Sequence, residues 1–189
     1  MTGVTALQER VSYADLERWP EDGRRYELYN GEVFEIPSPI LVHQFVLGRL
    51  HLALSAYVQA NGGSVFVAPV DIVLTNFDVV QPDVMLFLPE RERLLNMRKV
   101  TRFAPDLAIE ILSPGTSRND RGRKLRLFER HLLPEYWLVE PEGPSVEVYR
   151  LSGERLVLAG LARGAEFVKS PLLPALELRP SALVPPDFH

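Results

Sequence analysis

The chain has 189 residues, 46% of them hydrophobic, a formal charge of −4 and no cysteine. That length and apolar content fit one domain over residues 1–189 with a sizeable core, and the missing cysteines exclude disulfides, thiolate metal sites and cysteine nucleophiles. No apolar run approaches the length of a membrane-spanning helix and no charged-then-apolar leader opens the chain, so a cytoplasmic protein is expected.

Ser12-Tyr13-Ala14-Asp15 has the form of a capping box and opens a short helix to about Trp19, expected to cover a sheet edge. Arg25 to Tyr29, Asn30-Gly31 and Glu32 to Ile36 predict a hairpin, because Asn-Gly accepts the positive φ angles of a type I′ turn. From Leu41 to about Ala60, Val42, Phe45, Val46, Leu50, Leu54, Tyr57 and Val58 recur at helical spacing, and Asn61-Gly62-Gly63 supplies the stop. Ser64 to Thr75 is β-rich, with Pro69 marking an edge or a bulge. Val79 to Leu88 forms the next apolar strand, carrying Pro82-Asp83, and a basic connection follows from Pro89 to Ala104. A second acidic strand, Asp106 to Leu112, contains Glu110. Beyond the loop Ser113-Pro114-Gly115-Thr116, a helix capped within Ser117-Arg118-Asn119-Asp120 runs to about His131 with Leu125, Phe128 and Leu132 facing inward. Tyr136 to Val139 predicts a buried strand. Val146 to Leu151 and Arg155 to Ala159 predict a hairpin around Ser152-Gly153-Glu154. The proline-rich tail from Pro171 is expected to be extended and to pack against a partner chain. Strands interleaved with two substantial helices make an α/β domain with a central mixed sheet flanked by helices.

Burying a lone carboxylate as an ion costs several kcal/mol unless a cation or metal pairs with it, so Asp83 and Glu110 at the polar ends of two apolar runs mark a site. A metal here must use oxygen or imidazole ligands, and carboxylates favour magnesium, manganese or calcium. An isoelectric point near 5.6 is unlike that of a protein that coats nucleic acid. The basic residues are bunched, however: Arg91, Arg93, Arg98, Lys99 and Arg102 precede the second acidic strand, and Arg118, Arg121, Arg123, Lys124, Arg126 and Arg130 follow it. A solvated helix face explains such runs most simply, while their place on both sides of the carboxylates points to phosphate. Simpler readings stand beside each candidate. Asp83 can end a strand in a turn, Glu110 can pair with a basic residue of the next helix, Lys124 can be the i,i+4 partner of Asp120, and His43 can be a satisfied polar residue at a helix start. His51 and His131 read as structural or solvated, and Tyr136 and Trp137 as core. Ser113 and Thr116 can donate to phosphate from their loop. No glycine-rich nucleotide cradle and no Gly-x-Ser-x-Gly elbow is present.

Tyr26-Glu27-Leu28-x-x-Gly31-Glu32, His43, Pro82-Asp83, Glu110-x-Leu112-Ser113-Pro114, Asp120-x-x-x-Lys124 and Pro134-Glu135-Tyr136-Trp137, in that order, resemble the Uma-type putative restriction endonuclease family over about residues 12 to 140. The wider likeness is to the PD-(D/E)XK nuclease core. The resemblance implies a restriction-endonuclease-like fold and Mg2+-dependent (or Mn2+-dependent) hydrolysis of DNA phosphodiester bonds. Asp83, Glu110 and the Ile111 carbonyl would hold the metal, with Lys124, His43 and Glu27 completing the catalytic set. One departure stands out: Leu112 occupies the position two residues after the glutamate where the nuclease pattern has lysine. Lys124 is the candidate replacement, and the resembled family shares that shift. A homodimer is expected, so that two sites address two strands. The alternative reading is a catalytically silent nuclease-fold module binding nucleic acid or protein partners, favoured by Leu112 and the acidic net charge; a metal-dependent phosphohydrolase acting on a small substrate is a third.

Overall fold

In the computed structural model, residues 10–186 and 188 are described. Ser12 and Asp15 close a reciprocal capping box on α1 (Tyr13–Leu16), which stops before Trp19. The hairpin of β1 (Arg25–Tyr29) and β2 (Glu32–Ile36) turns through Asn30 at φ 54° and Gly31 at φ 82°. Gly31 is required twice over, since a Cβ there would also lie 2.6 Å from the Arg10 Cβ. The long helix α2 (Leu41–Asn61) follows, burying Val46, Leu47, Leu50 and Leu54 before ending at Gly62 with φ 83°.

The apolar run from Val79 to Leu88 is not one strand. It divides into β5 (Asp78–Val80) and β6 (Val84–Phe87), which belong to different sheets. Pro82 lacks the N–H that a continuous interior strand would need, and the chain crosses from one sheet to the other at Gln81-Pro82-Asp83. One sheet has the order β2-β1-β5-β4, where β4 is Ile72–Thr75, and is antiparallel throughout. The larger sheet runs β10-β9-β8-β7-β6-β3, built from β3 (Ser64–Val67), β7 (Leu107–Ile111), β8 (Glu135–Glu140), β9 (Ser145–Ser152) and β10 (Arg155–Arg163) with β6. Its one parallel pair is β7 with β8, the rest being antiparallel, so the predicted central mixed sheet is present. Pro69 follows the end of β3, an edge strand, as the missing proline donor requires.

Strand alternation sorts the core into layers. Leu107, Ile109, Ile111, Trp137 and Val139 face α2 and pack with Val46, Leu50 and Leu54. The opposite face presents Met85, Phe87, Ala108, Tyr136 and Leu138 to Ile72 and Val80 of the small sheet and to Leu127 and Phe128. The far side of the small sheet, with Leu28, Val73 and Val79, is closed by Tyr13 and Leu16. Helix α1 therefore covers a sheet face rather than the expected edge.

A parallel β7–β8 pair demands a crossover, and that crossover comprises α4 (Ser117–Asn119), a π-helical turn (Asp120–Lys124) and α5 (Leu125–Arg130). The expected cap within Ser117 to Asp120 is not made; the N-cap position is Thr116, without a side-chain capping bond. The inward face also differs from expectation. Phe128 is buried, but Leu127 takes the place assigned to Leu132, which is half exposed with φ 52°, while Leu125 is only partly buried. Helix α5 ends at Arg130 with His131 at its C-cap, so Leu132 lies past the helix on a left-handed backbone, where helical spacing no longer applies.

The tail also departs from expectation. Leu173, Leu178 and Leu183 are buried on this chain's own large sheet, and Ser170 donates to Glu135 at 2.5 Å. It covers the chain's own sheet through these leucines. Short α3 (Pro89–Glu92) sits in the basic connection. Among the described residues no helix is long and apolar enough to cross a membrane.

Candidate active site

The two acidic strand positions meet because β6 and β7 are antiparallel neighbours in the register Val84↔Ile109 and Met85↔Ala108. One step further along the same register sets Asp83 opposite Glu110, on the face that Met85 and Ala108 share. Asp83 is fixed by its own contacts. Its Oδ2 accepts the Ile111 N–H at 2.8 Å and lies 3.1 Å from His43 Nε2, in the first turn of α2. A carboxylate only accepts, so this contact places the imidazole proton on Nε2. Ile111 thus enters through its N–H, with its side chain in the α2-facing core.

Lys124 reaches the same place from the crossover helix. Its Nζ lies 2.8 Å from Glu27 Oε1 and 2.9 Å from Glu110 Oε1, but 3.8 Å from Asp120 Oδ1. The i,i+4 contact is the longest of the three, so a helix-surface pair does not describe this lysine. Glu27 is bonded on both oxygens: Oε2 accepts the Tyr29 hydroxyl at 2.6 Å and Oε1 accepts the Gln81 N–H at 2.8 Å. Asn119 Nδ2 in turn donates to the Tyr29 oxygen at 2.8 Å, and the Tyr136 hydroxyl donates to the Asp120 carbonyl at 3.2 Å. Leu112, at the position of the nuclease lysine, is buried in the apolar cluster with Phe128 and Tyr136.

Burial sets the electrostatics. It pushes the Glu110 carboxyl well above its usual range, against the pull of Lys124 and with a further push from Asp120, Asp83 and Glu27. Asp120 is pushed up to about 6, again by burial first. Burial also works against the Lys124 charge, but Glu110 and Glu27 more than offset it and hold the ammonium well above its ordinary value. The Tyr29 and Tyr136 hydroxyls are raised by burial and stay protonated donors. Several buried polar atoms lack a hydrogen bond: His43 Nδ1, Gln81 Oε1, Glu110 Oε1, Asn119 Oδ1 and Asp120 Oδ2. The Lys124–Glu110 contact is therefore an ion pair without hydrogen-bond alignment.

These groups line a cleft of about 330 Å³. It carries five carboxylates, Glu27, Glu35, Asp83, Glu110 and Asp120, against the cations Arg25 and Lys124. A phosphate would meet net negative charge there. The donor chemistry suits a hard divalent cation: two carboxylates set across one strand pair, one of them with an oxygen lacking a hydrogen bond. Among the described residues no group of three or more His, Asp or Glu side chains stands ready to hold a metal, so most coordination positions would fall to water, as magnesium prefers.

Four members of the basic runs are engaged away from the cleft. Arg91 pairs with Asp106 at 3.0 Å, Arg121 with Glu147 at 2.7 Å and Arg130 with Asp78 at 3.3 Å, and Arg123 stacks 4.0 Å over Phe34. Only Lys124 of those runs lines the cleft. Ser113 and Thr116 line it too and contact one another at 3.0 Å. Tyr29, Asn119 and Gln81 were not singled out by the sequence. Tyr29 carried a signal, since it stands two residues after Glu27 on a strand and so shares its face; the other two are brought in by the sheet crossing and the crossover helix.

This α/β fold, a central mixed sheet flanked by helices, is shared by a solved structure. The crystal structure described as "a putative nuclease" from Anabaena variabilis superposes with a TM-score of 0.76 at 21% identity, over 92% of this chain and 97% of that one. Residues 13–181 match the Uma2 family, described as "Putative restriction endonuclease", and the chain belongs to that family. An uncharacterized protein of Synechocystis sp. is 26% identical over 156 residues, 79% of this chain and 80% of the relative.

Proposed function

We propose that the protein is a nuclease that hydrolyses DNA phosphodiester bonds with Mg2+ or Mn2+ held by Asp83 and Glu110. The observation that carries this reading is the Lys124 ammonium seated 2.9 Å from Glu110, delivered from a helix to the side of the strand where the nuclease pattern would use residue 112. The ion would supply charge neutralisation and Lewis acidity at phosphorus. The protein's own groups do the rest. His43 and the Ile111 N–H occupy Asp83 Oδ2, which leaves Oδ1 for the ion. Lys124 orients the attacking water and stabilises charge developing on the phosphoryl oxygens. Glu27 anchors Lys124, and the Ile111 carbonyl completes the proposed ligand set. Two copies acting together would address two strands; the β10 edge strand, with Val157 and Leu158 about half exposed, offers apolar surface for such a pairing. The cysteine-free composition suits a cytoplasmic setting.

The deciding experiment is cleavage of plasmid DNA with Mg2+ or Mn2+ by wild type and Asp83→Ala. Nicking or linearisation by wild type alone is expected. One observation favours the alternative, a silent module that binds nucleic acid or protein: Lys124 is already neutralised by Glu27 and Glu110 within the protein. No cleavage by wild type with either ion would select that reading.

A further inference from the structure

Resting on the nuclease reading, we infer that Tyr29, with Asn119 behind it, is a positioning residue that holds Lys124 in the cleft through Glu27. Tyr29 is buried and does not line the cleft, so it touches no substrate. Its geometry is directional. Asn119 Nδ2 donates to the phenolic oxygen at 2.8 Å, which leaves the hydroxyl proton for Glu27 Oε2 at 2.6 Å. With Oε2 so occupied, Glu27 turns Oε1 toward the Gln81 N–H and Lys124, both at 2.8 Å.

The chain of contacts leaves the crossover helix at Asn119, passes through β1 and returns to the same helix at Lys124. On an α-helix, residues five apart differ by roughly 140° around the axis and do not share a face. The π turn over Asp120–Lys124 bonds i to i+5 and brings the two ends of this loop round to one side. A wide turn is thus what lets one helix supply both the cation and the group that steadies its anchor. Without the Tyr29 hydroxyl, Glu27 Oε2 loses its donor and the carboxylate is held beside Lys124 by the Gln81 N–H alone, which fixes one oxygen but not the plane of the group.

Tyr29→Phe keeps the ring and its edge-on contact with Phe34, whose centroid is 5.3 Å away. In plasmid cleavage with Mg2+ its kcat should fall about 10- to 100-fold, the usual cost of losing a group that orients a functional side chain, with KM unchanged. The double variant Tyr29→Phe, Lys124→Ala should be no slower than Lys124→Ala alone, because residues acting as one unit are not additive. Independent of cleavage, isotope-labelled lysine NMR should show a Lys124 ammonium signal slowed in exchange in wild type and broadened in Tyr29→Phe. Asn119→Ala, which leaves Tyr29 in place, should broaden it in the same direction and serves if Tyr29→Phe does not fold. Additive rate losses, or a Lys124 signal unchanged in both variants, would overturn the positioning role. Wild type that fails to cleave while its Lys124 signal responds as expected would overturn the nuclease reading and support the clamp.

Discussion

With its carboxyl pushed up to about 6 from an ordinary 3.8, Asp120 binds a proton more tightly in the folded chain than in the unfolded one. Its contribution to stability is therefore greatest below the unfolded value and is lost as pH rises through the folded one, a difference of up to about 3 kcal/mol. Asp120→Asn should be more stable than wild type at pH 7 to 8, and the gap should close below about pH 4; thermal melts across that range check it. A gap that widens on acidification would contradict the assignment. Lys124→Ala should cost about 3–5 kcal/mol, as expected for one partner taken from a buried ion pair, instead of the few tenths of an exposed helix pair. Any cleavage activity should drop roughly 100- to 1,000-fold with it. At this scale the sequence exposed Asp83 and Glu110 because a charge in an apolar run is conspicuous, whereas Lys124 stood in a basic run and was marked out by the family resemblance. It did not expose Tyr29 or Asn119, whose types are ordinary in strands and helix starts and whose roles depend on which neighbour lies 2.6 to 2.8 Å away.

Local signals located most elements. The Asn30-Gly31 turn and the long α2 with its glycine stop follow from backbone chemistry that neighbours cannot change. The single strand expected over Val79 to Leu88 fails for a different reason: apolar periodicity reports burial, and both halves are buried, but it does not report which sheet does the burying. Pro82 was the available clue. The crossover helix fails at its end: α5 stops at Arg130, so Leu132 lies past it, and the π turn that precedes α5 leaves no mark in apolar spacing. Deleting Gly122 should restore α-helical phase there, forcing either Asn119 and Asp120 or Leu127 and Phe128 off their positions. A loss of about 2–5 kcal/mol, comparable to emptying a core site, is expected in denaturant unfolding.

Across the whole molecule, charge and layering act together. Five carboxylates around one cleft should keep DNA away until a divalent ion is present. Filter-binding with a chelator should therefore show weak association that tightens with Mg2+, and an Asp83→Asn, Glu110→Gln double variant should lose that dependence. The C-terminal layer is part of the core, so Leu178→Ala should destabilise by about 2–5 kcal/mol; its scattered prolines suggested extension and hid the leucines that dock. The Gln81-Pro82-Asp83 crossing has one more consequence. Three residues span at most about 10 Å, a short leash between the sheets at the very mouth of the cleft. With residues 68–71, which join β3 to β4 and so tie the same two sheets, this crossing restrains any motion of one sheet against the other. An inserted residue here would slacken the crossing and let Asp83 drift from Glu110, whereas the same insertion between Asn96 and Lys99 would only lengthen a surface loop.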